Sequence, residues 1–505
     1  MGQGRTLSAV IKINEMKERV LIAGAGLGGI ATALRLASRG YDVTVVEKNS
    51  KAGGRLNQIR KDGFTFDTGP SFFSMSYEFE EFARDCNIGL PFEYYPLDPL
   101  YTVNFSNNPK TWFLHRDIKK MAEQFSDIEP DFEKKMKKYL KKSGQIFDDT
   151  VDLVIRNNFD SVFQYLLTLM RVNPVHLPVL ARSFWKQVSM NFSSEEAKQI
   201  ISLVSFFLGR TPFDTMAVYT LLSYTEFCHD GYFNVRGGMY RIVEGLVKEL
   251  EEKGVSVVYD TEITGFRSEG NRLACLTDKT GKEWHSDIFV INADAAVFRG
   301  KILKRISFSD KKLRKMNWTM GYLTFYIGLD CKLPDVNHHN YFLGSNFRDY
   351  AAQITENPDT PEKPYYYVNV ISKHNPECAP EGCEALFFVC PVPNLLFREA
   401  WDDKEEVART VLADFSKRIQ KDILPHIVSE TIYTPLDWQE QFNLYMGSGL
   451  GLSHTMNQIG AFRPKNRDEE LSNLYYVGAS TVPGAGLPMA IISSGLVTKR
   501  ITGEK

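Results

Sequence analysis

A handful of glycines, one acid and one arginine carry the first recognisable chemistry in this chain. In VLIAGAGLGGIATAL, Gly24, Gly26 and Gly29 fit G-x-G-x-x-G, with Ala25 and Gly28 among them. Gly24 permits a tight turn, Gly26 lets main chain approach a pyrophosphate, and Gly29 allows a helix to pack closely on a strand. The amides that open the next helix would face the phosphates. Glu47 follows 18 residues after Gly29, where a carboxylate can accept hydrogen bonds from ribose hydroxyls. Then come Gly53, Gly54 and Arg55, and after them Asp67, Thr68, Gly69 and Pro70. Two adjacent glycines and an arginine can wrap a second loop around the ligand, with the guanidinium near its oxygens.

The elements that must position these groups are also legible. Residues 20–23 form a short apolar run of the kind a buried parallel strand needs, 30–39 read as a helix closed by Gly40, and 43–46 as a second strand. A lone glycine motif is weak evidence, but strand, glycines, helix, strand and acid occur here in order, which weighs against a βαβ unit with no ligand. With the second loop included, the stretch resembles the FAD fingerprint of the flavin amine oxidase and phytoene desaturase superfamily. The resemblance implies FAD. Near the other end, NLYYVGASTVPGAGLPMAIISSGLVTKRI places a strand at 474–477 before Gly478 and Ala479, and a helix begins near Pro488. Its first amides would face an anion or a flavin carbonyl oxygen.

Bulk properties narrow the class. A chain of 505 residues calls for two or three domains. Lys plus Arg number 60 against 62 Asp plus Glu, so no global charge suggests nucleic acid as a partner. Aromatic residues make up 12%, which suits a large apolar channel. The seven cysteines form no C-x-x-C and the histidines no H-E-x-x-H, which points to a reduced, cytoplasmic setting and no metal. No apolar run reaches the roughly 18 residues of a membrane-spanning helix. The N-terminus lacks the core of a signal peptide, and its M-G-x-x-x-[ST] match is too short to weigh.

The expected architecture is α/β: a Rossmann-type FAD-binding domain with an inserted α+β substrate domain and a helical, membrane-associating part. Residues 1–15 read as a flexible extension, and 16–100, 231–300 and 431–505 as three pieces of the cofactor domain. Between them, 101–230 read as the helical part, although 101–105 and 111–114 look like short strands. The basic run KKMKKYLKK at 134–142 reads as a solvated helix face. From Phe159, apolar residues recur at Val162, Phe163, Leu166, Leu167 and Met170, the spacing of an amphipathic helix. Arg182, Trp185 and Lys186 follow, so 159–190 suit either a monotopic membrane surface or a helix pair packed inside a substrate domain. Residues 198–227 read as a further apolar helical stretch. Gly237 and Gly238 precede a helix with Ile242, Val243, Leu246 and Leu250 on one face, then a strand at 255–259 that brings Val258 near the adenine edge. The segment IFVINADAA at 288–296 is a strand ending in small polar residues at the crevice where such sheets bind ligands. Runs at 322–329, 365–371 and 385–392 within 301–430 suggest an antiparallel sheet. His338 and His339, adjacent on a strand, point to opposite faces and make a poor metal pair; both read as structural.

The resemblance extends over residues 18–501. GYFNVRGGMYRIVEGL, NHHNYFLG, NLYMGSGLGL and FRPKNRDEELSNLYYVGASTVPGAGLPMAI occur in the order found in bacterial-type phytoene desaturases and related carotenoid desaturases. That likeness implies an FAD-dependent oxidoreductase that introduces double bonds into a long polyene at a membrane surface. The expected cofactor contacts are Gly24, Ala25, Gly26, Gly28, Gly29, Glu47, Lys48, Gly54, Arg55, Gly69, Pro70, Val258, Asn292, Gly478, Ala479 and Met489. No acid or base is readable from spacing. Loss of an allylic hydride leaves a delocalised cation, so a strong base is not obligatory. Ser480, Thr481 and Val482 depart from the family's final turn, which favours a hydroxylated or monocyclic carotene and a 3,4 double bond. A phytoene desaturase proper, a carotenoid isomerase, a flavin amine oxidase and a non-enzymatic carotenoid carrier remain alternatives.

Overall fold

The predicted βαβ unit forms as β1 (Arg19–Ala23), α1 (Leu27–Ser38) and β2 (Asp42–Val46). The computed structural model describes residues 17–344, 346–356 and 365–504, so the extension 1–15 lies outside the described residues. Later segments add α2 (Arg241–Glu252), β3 (Ser256–Val258), β4 (Ile288–Ile291), β5 (Leu474–Tyr476) and α3 (Leu487–Thr502). The five strands make one parallel sheet in the order β5, β4, β1, β2, β3. β1 is central and covered on both faces, which is why it reads as an unbroken apolar run. On one face Ile30 and Leu34 of α1 pack with Val243 and Leu246 of α2 and with Ile491 and Val497 of α3. On the other, Leu21, Phe289 and Ile291 meet Leu273 and Leu276 of a small antiparallel sheet.

A second, seven-stranded sheet runs in the order Ile427–Tyr433, Gly321–Leu329, Glu384–Val392, Tyr366–Val370, His339–Leu343, Tyr101–Phe105, Asn108–Leu114. The two strands expected near residue 100 are thus a hairpin on its edge. All its pairs are antiparallel except one: His339–Leu343 runs parallel to Tyr101–Phe105. That hairpin comes from far earlier in the chain, so no tight turn imposes the antiparallel direction. Alternation along the strands divides the residues between two environments. Phe325, Phe342, Val368 and Phe388 face Val411, Leu412 and Phe415 of the helix Lys404–Arg418. The opposite face carries Tyr322 beside Pro391, Thr324 beside Val389, Val389 beside Tyr367, and Tyr367 beside Tyr341, all of them lining a cavity. His338 and His339 are buried, and their rings lie 4.3 Å apart rather than on opposite faces, because His338 precedes the strand that begins at His339. His338 Nδ1 lies 3.0 Å from the Val370 carbonyl and His339 Nδ1 2.5 Å from the Tyr367 hydroxyl.

In the helical part, Phe132–Thr150 buries Met136, Tyr139 and Leu140 and leaves most of its lysines outside, a solvated face as expected. The amphipathic pattern after Phe159 takes an unusual orientation. Helix Val162–Leu169 buries Tyr165, whereas Phe163, Met170, Val175 and Leu177 are 70%, 73%, 67% and 62% exposed. The apolar face therefore points outward. Trp185, which with Arg182 and Lys186 suited either a membrane surface or packing within the domain, packs against Phe213 and Phe347 with ring centroids 4.9 and 5.6 Å away. Residues 198–227 are not one helix but a series of short ones, broken near Gly209, whose φ is +68°, and Pro212.

Two buried acids brace this frame. Asp67 accepts from the Met239 and Tyr240 amides at 2.8 and 3.2 Å, which ties the strand Phe64–Asp67 to the start of α2. Glu226 sits beside the Tyr101 hydroxyl, and burial pushes its carboxyl up to about 8 against the opposing effect of that hydrogen bond. A carboxyl raised in the folded state binds protons that the unfolded chain has already lost. Its contribution is therefore full at acid pH and lost as pH rises towards 8. Glu226→Gln, neutral at every pH, is expected to gain stability relative to the parent between pH 5 and 8, read as a widening difference in Tm. A constant difference across that range would remove Glu226 from the account.

Candidate active site

The site begins where β1 meets α1. Gly24 has φ +105°, and a side chain there would run into the Asn292 carbonyl at 2.6 Å. Asn292 directly follows β4, and its side-chain amide donates to the Gly24 carbonyl at 3.3 Å. A Cβ on Gly29 would stand 2.1 Å from that same carbonyl, so glycine is what seats α1 on β1. The turn is thus closed on the Asn292 side, and Gly24, Gly26, Leu27 and Gly28 line the cavity. The α1 N-terminus has no side-chain cap and no acid in its first turn, leaving its amides for a ligand.

The predicted residues divide by role. Gly24, Gly26, Gly28, Glu47, Lys48, Gly54, Arg55, Gly69, Pro70, Asn292, Gly478, Ala479 and Met489 all line one continuous cavity. Ala25, Gly29 and Val258 lie behind its wall. The Ala25 amide donates to Glu47 Oε2 at 2.8 Å and the Asn49 amide to Oε1 at 3.0 Å, so the loop aims this carboxylate while leaving it capacity to accept more. The Val258 carbonyl is taken by the Glu47 amide at 2.9 Å, and the wall nearby is made instead by Thr261, Glu262 and Ile263. An edge-strand residue is committed to its neighbour, whereas the turn after it is free to face the ligand. Lys48 also lines the cavity, but Nζ is spent on the Glu440 carbonyl and Asn443 Oδ1 at 2.9 and 3.1 Å.

At the far end, α3 presents a second uncapped N-terminus through Gly486, Leu487 and Pro488. Arg55 Nη1 donates to the Gly449 carbonyl at 3.0 Å. Burial lowers the guanidinium pKa, and Asp294 and Tyr322 oppose that. Asp294 accepts from the Ala296 amide at 2.8 Å and the Ser480 hydroxyl at 3.2 Å, yet burial raises its pKa. The pairing of Asp294 with Ser480 was missed in the sequence. Asp294 stands two residues after Asn292, but its partner is 186 residues away.

Two helix N-termini, an aimed carboxylate and an arginine with one protein acceptor in the cavity match the two ends of a flavin dinucleotide. Among the described residues, the buried Thr68 Oγ1 and Trp438 Nε1, on residues that line the same cavity, have no hydrogen-bond partner. Both are groups a polar ligand would satisfy. The residues therefore fit FAD.

Residues 27–502 match the family described as flavin containing amine oxidoreductase. A phytoene desaturase of Fusarium fujikuroi is 32% identical, with 97% of this chain and 90% of that protein covered. A carotenoid 3,4-desaturase of Haloarcula japonica is 30% identical over 94% of this chain and 96% of its own length. Among solved structures, the cyclohexylamine oxidase of Brevibacterium oxydans superposes with a TM-score of 0.59 at 14% identity, covering 96% of this chain and all of that one, which is a likeness of fold. The chain belongs to the flavin-containing amine oxidoreductase family and, within it, stands with the phytoene desaturases.

Proposed function

We propose that this protein is an FAD-dependent carotenoid desaturase that takes its substrate from a membrane surface. The observation that carries the reading is the continuity of one apolar cavity from the cofactor cradle to the floor of the seven-stranded sheet. Phe206, Phe207 and Leu208 roof it, and Thr324, Val389 and Tyr341 lie on its floor. FAD, when bound, supplies the hydride acceptor. Glu47, the Gly24–Gly29 turn and α1 would hold its nucleotide half, and Arg55, Gly478, Ala479 and the first turn of α3 its reacting end.

The protein's own contribution is to hold a flexible polyene in register and to keep water out. Aromatic rings along the wall offer flat faces to a conjugated chain. His454, in the wall, is held neutral because burial pushes its pKa well below 6.5. It donates no proton in the neutral range, and no strong base is required once the cation is spread over the polyene.

The entry side supports peripheral membrane docking. Val151 and Ile155 line the cavity and belong to the cluster that supports Val179, beneath the outward-facing apolar residues. Among the described residues no helix is long and apolar enough to cross a membrane. A carotene with a hydroxylated or monocyclic end is our preferred substrate, in keeping with the 3,4-desaturase relative.

The test is anaerobic mixing of FAD-loaded protein with carotenoids in liposomes. Flavin bleaching with a product two hydrogens lighter is expected. Isomerised product without bleaching would replace desaturation by isomerisation, and inertness towards every carotenoid would return the amine oxidase reading.

A further inference from the structure

Arg463 is 1% exposed and donates five hydrogen bonds, all to main-chain carbonyls. Nε reaches Thr481 at 2.9 Å, Nη1 reaches Ser453 and Gln458, each at 3.1 Å, and Nη2 reaches Leu452 at 3.0 Å and Ala479 at 2.6 Å. A guanidinium has five N–H groups in a fixed planar fork, so every donor is used. The acceptors lie on two loops that both border the cavity: Gly451 and His454 line it from one, Ala479 and Ser480 from the other. One side chain therefore fixes the spacing of both.

The charge is as notable as the bonds. Among the described residues no carboxylate pairs with Arg463; Asp294 acts on it only at longer range. Among the described residues, Arg55, Asp294, His454, Tyr219 and Tyr322 line this end of the cavity and Arg463 lies just behind its wall, with Tyr165, Tyr341 and Tyr445 the further titratable neighbours. His454 is neutral and burial keeps the tyrosines protonated. Among these groups two arginines are set against one carboxylate, Asp294. An enclosed region with surplus positive charge favours a ligand that gains negative charge during its reaction. A bound flavin would gain such charge on reduction: a hydride, two electrons with one proton, would leave one substrate carbon, and the neighbouring carbon would release a proton to solvent as its C–H electron pair forms the new double bond.

We propose that Arg463 is a positioning residue with two separable effects: its fork sets the two loops around the reacting end of FAD, and its charge makes bound FAD easier to reduce. The proposal rests on the FAD reading of the cavity and on nothing about the substrate.

FAD-loaded wild type, Arg463→Met and Arg463→Lys are titrated anaerobically against a reference dye, without carotenoid. At a fixed dye potential, the ratio of reduced to oxidised flavin is expected to fall at least tenfold in Arg463→Met, about 30 mV for a two-electron couple. Arg463→Lys keeps the charge but offers three donors, so its ratio stays within threefold of wild type while FAD dissociates at least tenfold faster. An unchanged ratio in Arg463→Met overturns the proposal, and so does an equal fall in Arg463→Lys. Should Arg463→Met not be recovered folded, the lysine variant decides by the same two limits. Wild type that never retains FAD would instead overturn the cofactor reading.

Discussion

Gly29→Ala is expected to yield folded protein with little or no bound FAD. The added Cβ would meet the Gly24 carbonyl at 2.1 Å, and that atom is main chain in a turn already closed by Asn292. Relief requires the start of α1 to lift from β1, which turns its first amides off the phosphate position. Hydrogen bonds to charged groups contribute about 1.5–3 kcal/mol each, so losing one lowers affinity by roughly ten- to a hundredfold and losing two by the product. Overpacking itself costs a further 1–3 kcal/mol or so. The measurement is flavin absorbance per polypeptide after gel filtration, with Gly40→Ala as control. Gly40 has φ +89° but nothing within 4 Å, so alanine there strains the turn without moving α1. A fully yellow Gly29→Ala protein would separate the cofactor from this turn.

The second large effect concerns the outward apolar face. Replacing Phe163, Met170 and Leu177 together by serine removes three side chains that are between 62% and 73% exposed. At about 25 cal/mol per Å² of apolar surface, each contributes roughly 1–2 kcal/mol when it enters lipid. Liposome partitioning is then expected to fall on the order of a hundredfold or more. Because these residues contribute little to the folded core, Tm should scarcely move. Binding lost together with stability would mean the face is covered within the protein, and binding unchanged would place the membrane contact elsewhere. Trp185 does not belong in this set, because its ring is packed against Phe213 and Phe347.

What could be read from the chain follows from the range over which each signal acts. The βαβ unit was legible because glycine spacing, apolar runs and the acid all fall within residues 20–47. The cavity-lining role of Gly478, Ala479 and Met489 was legible for the same local reason. Val258 was misplaced by one turn, since an apolar edge strand and the loop after it carry similar local patterns. The helical repeat after Phe159 reported amphipathicity, but periodicity does not say which face meets protein; the surrounding packing decides that. Arg463 stood within a quoted motif without a role, because its five acceptors lie 5 to 18 residues away and are all main chain. Carbonyl groups have no letter in a sequence. Asp294 and Ser480 meet only after 186 residues have been folded between them.

The strand order of the cofactor sheet bears on how the protein is made. β1 is completed by residue 23, while β5 and α3 span residues 474–502. A chain emerging from the ribosome can form the first βαβ unit early, but this part of the wall around the flavin end is missing until residues 474–502 have been added. The flavin end can therefore be enclosed only after residues 474–502 have joined the sheet, which makes cofactor capture depend on a late-synthesised part of the chain.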